Sequence, residues 1–285
     1  MSDFETRVPG KWVLTGEHSV LRGGTAIALP HPEARLTLRC KPAPELRIAP
    51  PEADREIREL LGALRDDWEA SDRVFPWPKG ELELESTIPV GAGLGSSAAL
   101  CVAMTRWLAD SLDVSPSGFL EFAKTLEHRF HGRSSGMDVA VVLAGEPISY
   151  SIEKGPQPLG IRKLPRFTFH DTGLRARTNE CILRVEAIRE RDLTRAMRLD
   201  EAMSNASRNA VEGLFLYDGR SRADGLLRIA QAMDQASECF YSWEIVPGEA
   251  KRIQEDLRRQ GALASKLTGA GGGGMIVALW PDERL

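Results

Sequence analysis

Three stretches of this sequence combine residue types that do chemistry. The first is Val90-Gly-Ala-Gly-Leu-Gly-Ser-Ser-Ala-Ala-Leu, residues 90–100. Glycines let a backbone approach a ligand closely and adopt positive φ, and successive N–H groups in such a turn can converge on an anion. A helix starting near Ser97 would aim its positive dipole end at the same point. The hydroxyls of Ser96 and Ser97 suit phosphate oxygens or a hydrated Mg²⁺. The stretch reads as a phosphate cradle. No Gly-Lys-Ser/Thr closes it and its spacing is GxGxG, so it is neither a Walker A loop nor a dinucleotide fingerprint. Taken alone, a glycine turn with a serine N-cap explains it equally well.

The second stretch is Lys266-Leu-Thr-Gly-Ala-Gly-Gly-Gly-Gly-Met, residues 266–275, with five glycines in six positions. Such a backbone loses much entropy on ordering, and a strand-to-strand turn needs only two residues. The excess predicts a ligand or another backbone in very close approach. The third stretch, Glu127-His-Arg-Phe-His-Gly-Arg-Ser-Ser-Gly-Met-Asp, places two carboxylates eleven positions apart, at a helix end and a helix entry. One can hold a metal while the other faces a hydroxyl. In isolation, a surface Glu127 and a helix-N-terminal Asp138 favoured by the macrodipole are the simpler reading. His128 and His131 form an HxxH pair, but no further ligand has zinc spacing; His131 is expected beside the Asp138 loop.

The elements that must position these groups mix strand and helix. Phe4–Val8 and Trp12–Leu14 read as short strands around Pro9-Gly10. Arg35–Cys40 and Glu81–Ser86 alternate like half-buried strands. Pro42, Pro44, Pro50 and Pro51 mark a loop before a helix over Glu52–Trp68. Further helices are predicted over Ser97–Leu112, Pro116–Phe130 and Gly136–Leu143, then a strand at Ile148–Ile152. Gly155-Pro156-Gln157-Pro158 is the strongest linker signal. Beyond it come a strand at Phe167–His170, one long charged helix over Glu180–Leu216 with a solvated face, helices over Gly225–Ala236 and Pro247–Gln260, and strands at Lys266–Leu267 and Met275–Leu279. The order lacks strict βαβ alternation, which argues for α+β in two lobes.

The 285 residues suffice for a large core, and the net charge of -4 gives no general pull toward nucleic acid or anionic membrane. Cys40, Cys101, Cys181 and Cys239 form no CxxC pair, as in a reduced cytoplasmic protein with buried, idle thiols. Met1–Arg7 lacks the apolar core of a signal peptide. The longest uncharged stretch, Thr87–Thr105, is interrupted by glycines and Pro89 and reads as a loop entering a helix, not a membrane span.

Together the three stretches resemble the GHMP kinase superfamily and, within it, the mevalonate kinases. Pro9-Gly-Lys-Trp-Val-Leu-Thr-Gly-Glu-His-Ser-Val-Leu-Arg-Gly resembles the first family motif, Ile88-Pro-Val-Gly-Ala-Gly-Leu-Gly-Ser-Ser-Ala-Ala-Leu the second, and Lys266-Leu-Thr-Gly-Ala-Gly-Gly-Gly-Gly the third. His131-Gly-Arg-Ser-Ser-Gly-Met-Asp is similar to the segment with the catalytic aspartate, and Asp171-Thr-Gly-Leu-Arg-Ala-Arg-Thr to one near the acceptor site. The resemblance implies a two-lobed α+β fold. Residues 1–163 form an ATP-binding lobe like ribosomal protein S5 domain 2, and residues 164–285 a ferredoxin-like lobe.

It implies transfer of a phosphoryl group from ATP, with Mg²⁺, to the primary hydroxyl of mevalonate. Asp138 and Lys11 would be catalytic. Val90, Gly91, Ala92, Gly93, Leu94, Gly95, Ser96, Ser97 and Ala98, with Gly271 and Gly272, would bind the nucleotide. Ser97 and Glu127 would hold Mg²⁺, and Glu17, His18, Thr172, Gly269 and Ala270 would line the acceptor pocket. Val139 and Asn179 depart from the family's usual Asn and Lys. Other GHMP kinases acting on phosphomevalonate or sugars, or a non-catalytic sensor on this fold, remain alternatives. The sequence leaves oligomeric state open, a homodimer included.

Overall fold

The first strand, β1 (Phe4–Thr15), is continuous where two short strands were expected. Proline lacks an N–H and is tolerated in a strand with no neighbour on one side; among the described residues β1 pairs only with β2, which explains how Pro9 fits. The structure is a computed structural model and describes residues 3–70, 72, 74–112, 118–131, 134–175 and 178–282. The chain separates into two compact units, each discontinuous in sequence: residues 1–10, 31–88 and 95–143 form one, and 11–30, 89–94 and 144–285 the other.

In the first unit, β2 (Ala26–Lys41) contributes its distal half. Leu36–Lys41 runs antiparallel to β4 (Gly80–Ser86), with Leu36 opposite Ser86. A strand the prolines concealed, β3 (Leu46–Ala49), adds parallel to β4. Helix α1 (Pro51–Glu69) buries Ile57, Leu60, Leu61 and Leu64, one stripe at helical spacing. Its outer face carries the Arg55–Glu59 and Arg58–Asp54 pairs. Helix α2 (Ser96–Leu112) is apolar all round its early turns: Ala98 through Thr105 are all buried. That is the signature of an interior helix. It packs on α3 (Phe119–His131), and α4 (Met137–Ala144) follows. Pro116 and Ser117, expected to open α3, lie outside the described residues.

In the second unit, Ala26–Ala28 of β2 pairs with β5 (Ile148–Ser151), which forms a hairpin with β6 (Gly155–Pro158). The proline-rich stretch expected to be a linker is therefore an edge strand. A second sheet has the order β7-β9-β8, from Phe167–Asp171, Met275–Leu279 and Ala264–Leu267, all antiparallel. The long helix expected from Glu180 is broken into α5 (Thr178–Arg191) and α6 (Leu193–Asp218). The break is at Asp192, whose side chain caps α6 by accepting from the Arg195 amide at 2.9 Å. Nor is α6 simply a solvated face. Its Met203, Ala206, Ala210 and Gly213 are buried, and it packs closely on α7 (Arg222–Ser242). Helix α8 (Gly248–Arg259) closes the element order before β8. The core here gathers Phe240, Trp243, Ile245, Leu267 and Ile276. All four cysteines are buried and free, as expected. No helix among the described residues is long and apolar enough to cross a membrane.

Candidate active site

Residues 90–94 of the first glycine turn and the whole of the second lie within the second unit and touch backbone to backbone. Gly93 (φ +81) abuts the Thr268 carbonyl so closely that a Cβ would sit 2.8 Å from that oxygen. A Cβ on Gly269 would lie 3.2 Å from the Gly93 Cα. The Met275 amide donates to Ala92 O (3.1 Å), and the Lys11 amide of β1 donates to Leu94 O (2.9 Å). Thr268 completes the network: its hydroxyl accepts from the Val13 amide (2.8 Å) and donates to the Val13 carbonyl (3.1 Å). The close backbone approach inferred from the glycine excess is thus the approach of one turn to the other.

The first turn buries the side chains of Ala92 and Leu94 and leaves its glycines at or near the surface, with Val90 exposed. Its carbonyls are anchored, while the amides from Gly91 to Gly95 make no hydrogen bond to other described residues. In the second turn two of the glycine amides are taken. Gly272 N–H donates to Ile245 O (2.7 Å) and Gly274 N–H to Leu174 O (2.9 Å). Gly271 lies against the Ile245 side chain. A phosphate contact at Gly272 therefore cannot run through its amide. Thr172 is similarly engaged, its hydroxyl donating to Gly274 O at 2.8 Å.

Beside the turns is a buried polar cluster. Gly16 (φ +98) brings the chain against Ala26 and leads into Glu17, His18 and a 3₁₀ turn, Ser19–Arg22. Glu17 Oε1 accepts from Lys266 Nζ. Both side chains are buried, and the Lys266 ammonium also lies 4.9 Å from the Phe240 ring centroid. Burial pushes the Glu17 carboxyl up and the Lys266 ammonium down, each shift opposed by the charge of the other. His18 donates from Nε2 to the Ala270 carbonyl (2.9 Å) and packs edge-on against Trp243. Burial lowers its pKa to about 4, so the ring is neutral at physiological pH. That bond fixes the proton on Nε2 and leaves Nδ1 an acceptor. Nδ1, Glu17 Oε2 and Thr15 Oγ1 are buried without a hydrogen-bond partner among the described residues. Arg22 anchors the 3₁₀ turn through a forked pair to Asp200 (2.7 and 2.5 Å) and a bond to Glu186 (3.0 Å).

The first unit carries the start of α2 and the two carboxylates. Ser96, Ser97 and Ala98 occupy the first turn of α2, where backbone amides lack intrahelical acceptors. Glu127 of α3 is buried and accepts from the Ser134 hydroxyl at 2.5 Å. Ser134 in turn accepts from the Gly136 amide (3.0 Å), which shapes the entry to α4. Asp138 sits in the first turn of α4, half-buried. No group of three or more His, Cys, Asp or Glu among the described residues is arranged to hold a metal. His128 approaches Ser134 O (3.3 Å); the His131 side chain lies outside the described residues. Hydroxyl and carboxylate oxygens such as Ser97 and Glu127 suit Mg²⁺ entering with a nucleotide, because that ion prefers one or two protein carboxylates plus phosphates and waters.

Sequence reasoning assigned no role to Lys266, Thr268, Ser134 or Arg22, although each falls inside a stretch it singled out. A lysine directly ahead of a glycine turn was the available signal for Lys266. Its partner is 249 positions away, and nothing local points there.

The fold and these sites define a class. The family model for the GHMP kinases N terminal domain matches residues 57–146, and that for the GHMP kinases C terminal matches residues 222–285. The chain belongs to the GHMP kinases. Among its relatives, the mevalonate kinase of Archaeoglobus fulgidus is 29% identical over 97% of this chain and 92% of its own length. That of Aeropyrum pernix is 28% identical over 96% and 87%. The fold is similar to the crystal structure of L. major mevalonate kinase in complex with R-mevalonate, with TM-score 0.79 at 23% identity, covering 98% of this chain and 88% of that one.

Proposed function

We propose that this protein is an ATP-dependent kinase that phosphorylates the primary hydroxyl of mevalonate, giving 5-phosphomevalonate and ADP. The observation that carries the reading is the bonded network joining Lys11 of β1 to both glycine turns, in a chain whose relatives along nearly its whole length are mevalonate kinases. We take residues 1–163 and 164–285 as the two family lobes; the matched segments fall on either side of that boundary.

Phosphoryl transfer passes through a loose transition state, so a kinase mainly positions reactants and stabilises spread negative charge. The amides from Gly91 to Ala98 cradle the triphosphate, where the open donors of the turn run directly into the start of α2. Ser97 and Glu127 would hold Mg²⁺, which would offset phosphate charge. Lys11 adds positive charge beside the transferring group. The acceptor oxygen bonds to the γ-phosphorus as the bond to the β–γ bridging oxygen breaks. ADP leaves with that electron pair, and the hydroxyl proton passes to Asp138. Glu17, His18, Thr172, Gly269 and Ala270 shape the acceptor side. There Thr172 acts by holding Gly274, and Ala270 by fixing the His18 ring.

Gly271 and Gly272 back the nucleotide side through their packing on Ile245. Four free, buried cysteines fit work in a reducing cytoplasm. Gly16-Glu17-His18 is followed by Ser19-Val20-Leu21, an apolar continuation that suits mevalonate better than a polyhydroxylated sugar.

The test is ADP release with Mg-ATP and a panel of mevalonate, phosphomevalonate, galactose and homoserine. The reading requires mevalonate to give the highest kcat/KM. Turnover confined to another acceptor moves the chain elsewhere in the family, and ATP binding without turnover on any acceptor makes it a sensor.

A further inference from the structure

The triphosphate site as described is short of positive charge. The stretch from Val90 to Ala98 contains no lysine or arginine, unlike a Walker loop. Lys266, close to the second turn, is fully buried and engaged by Glu17. Lys11 alone is assigned to the transferring group, against a ligand that carries several negative charges.

Arg175 lies where a further cation would be useful. Its aliphatic stem covers Gly91: a Cβ on that glycine would meet Arg175 Cδ at 3.4 Å and Cγ at 3.9 Å. The residue before it, Leu174, accepts at its carbonyl from the Gly274 amide (2.9 Å) and presses on Gly273. The Leu174–Arg175 backbone is thus held against the second glycine turn while the Arg175 side chain crosses the first. Its guanidinium is turned to Asp171, with NH1 to Oδ1 at 2.7 Å and NH2 to Oδ2 at 2.6 Å, and NH1 also donates to Leu174 O at 3.0 Å. Asp171 is itself positioned by accepting from the Gly173 amide (2.8 Å).

We propose that Arg175 is a phosphate latch: Asp171 parks its guanidinium beside the first glycine turn in the free protein, and the triphosphate of ATP draws it away. Both partners are 39% exposed at the side chain. Water screens such a pair, so it holds weakly. A triphosphate offers the same forked geometry with more charge, so the exchange favours the nucleotide. The Asp171 carboxyl is held below its ordinary range, first by the Arg175 hydrogen bonds, and it stays ionised and able to recapture the arginine when product leaves. The latch deepens the ATP-binding reading above and rests on it.

Nucleotide affinity, measured by calorimetry without acceptor, separates the two claims. If wild-type protein fails to bind Mg-ATP, the kinase reading fails and the latch with it. If it binds, Arg175→Gln should raise the Kd for Mg-ATP about tenfold and leave adenosine binding unchanged. Arg175→Lys should fall between Gln and wild type. Asp171→Asn should act with the opposite sign, lowering the Kd for Mg-ATP by releasing the guanidinium, and should have no effect in the Arg175→Gln background. The latch is overturned if Arg175→Gln leaves Mg-ATP affinity unchanged or weakens adenosine equally. It is also overturned if Asp171→Asn shifts affinity in the same direction as Arg175→Gln.

Discussion

The two glycine-rich turns look alike in sequence and are bonded differently. The turn at residues 90–95 sends Ala92 and Leu94 inward, anchors its carbonyls on Lys11 and Met275, and leaves its amides open. The turn at residues 268–275 gives the amides of Gly272, Gly274 and Met275 to protein carbonyls. On the proposed function the first receives the anion, while the second braces it through the Met275–Ala92 bond. Glycine content reports how closely something approaches, and only the bonding shows whether that something is a ligand or the chain itself.

Substitutions can break or sharpen this contrast. The largest effect is expected away from both turns. Asp138→Asn should lower kcat by about 10²–10⁴ and leave the Kd for Mg-ATP nearly unchanged, because neither turn is touched; stopped-flow phosphoryl transfer with separate binding titrations checks both. Next comes the support under the buttress. Lys266→Met strands the buried Glu17 carboxylate and should destabilise the protein by about 3–5 kcal/mol, read as a lower melting temperature. Adding Glu17→Gln should return much of that stability while acceptor binding stays impaired.

A matched pair then tests the turns themselves. Gly274→Ala places a Cβ 2.6 Å from the Ala92 carbonyl and should lose about 1–3 kcal/mol of stability, with both substrates' KM values rising together. Ser97→Ala should weaken Mg-ATP about tenfold with a smaller fall in melting temperature than Gly274→Ala. Equal thermal shifts in the two variants would erase the distinction between cradle and buttress.

The smallest effect is acid sensitivity at His18. Its folded pKa of about 4 lies below the usual 6.5, so the unfolded chain binds the proton more readily. The stability that His18 contributes is present above pH 6.5 and fades as pH falls through 4. Between pH 7 and 5.5 the loss should be about 1 kcal/mol, visible in urea titrations and absent in His18→Gln.

Much of this was legible in the sequence. Helix α1 declared itself through Ile57, Leu60, Leu61 and Leu64, and β9 through the apolar Met275–Leu279 run. The start of α2 followed from the serines after the glycines. What stayed hidden depended on distant partners. Glu17 and Lys266 are 249 positions apart and Arg22 and Asp200 178, and no local pattern links them. Gly155–Pro158 misled because proline and glycine mark turns and edge strands alike. Asp192 misled because a charged residue inside a charged helical pattern looks like one more surface position, although here it caps a new helix.

The most direct test of the account follows phosphorus itself. Protein, Mg-ATP and R-mevalonate are incubated together and the products examined by phosphorus–proton correlation spectroscopy. The account predicts ADP together with a new phosphomonoester coupled to the C5 methylene protons. Coupling to another carbon, or ATP that stays intact although bound, would contradict it.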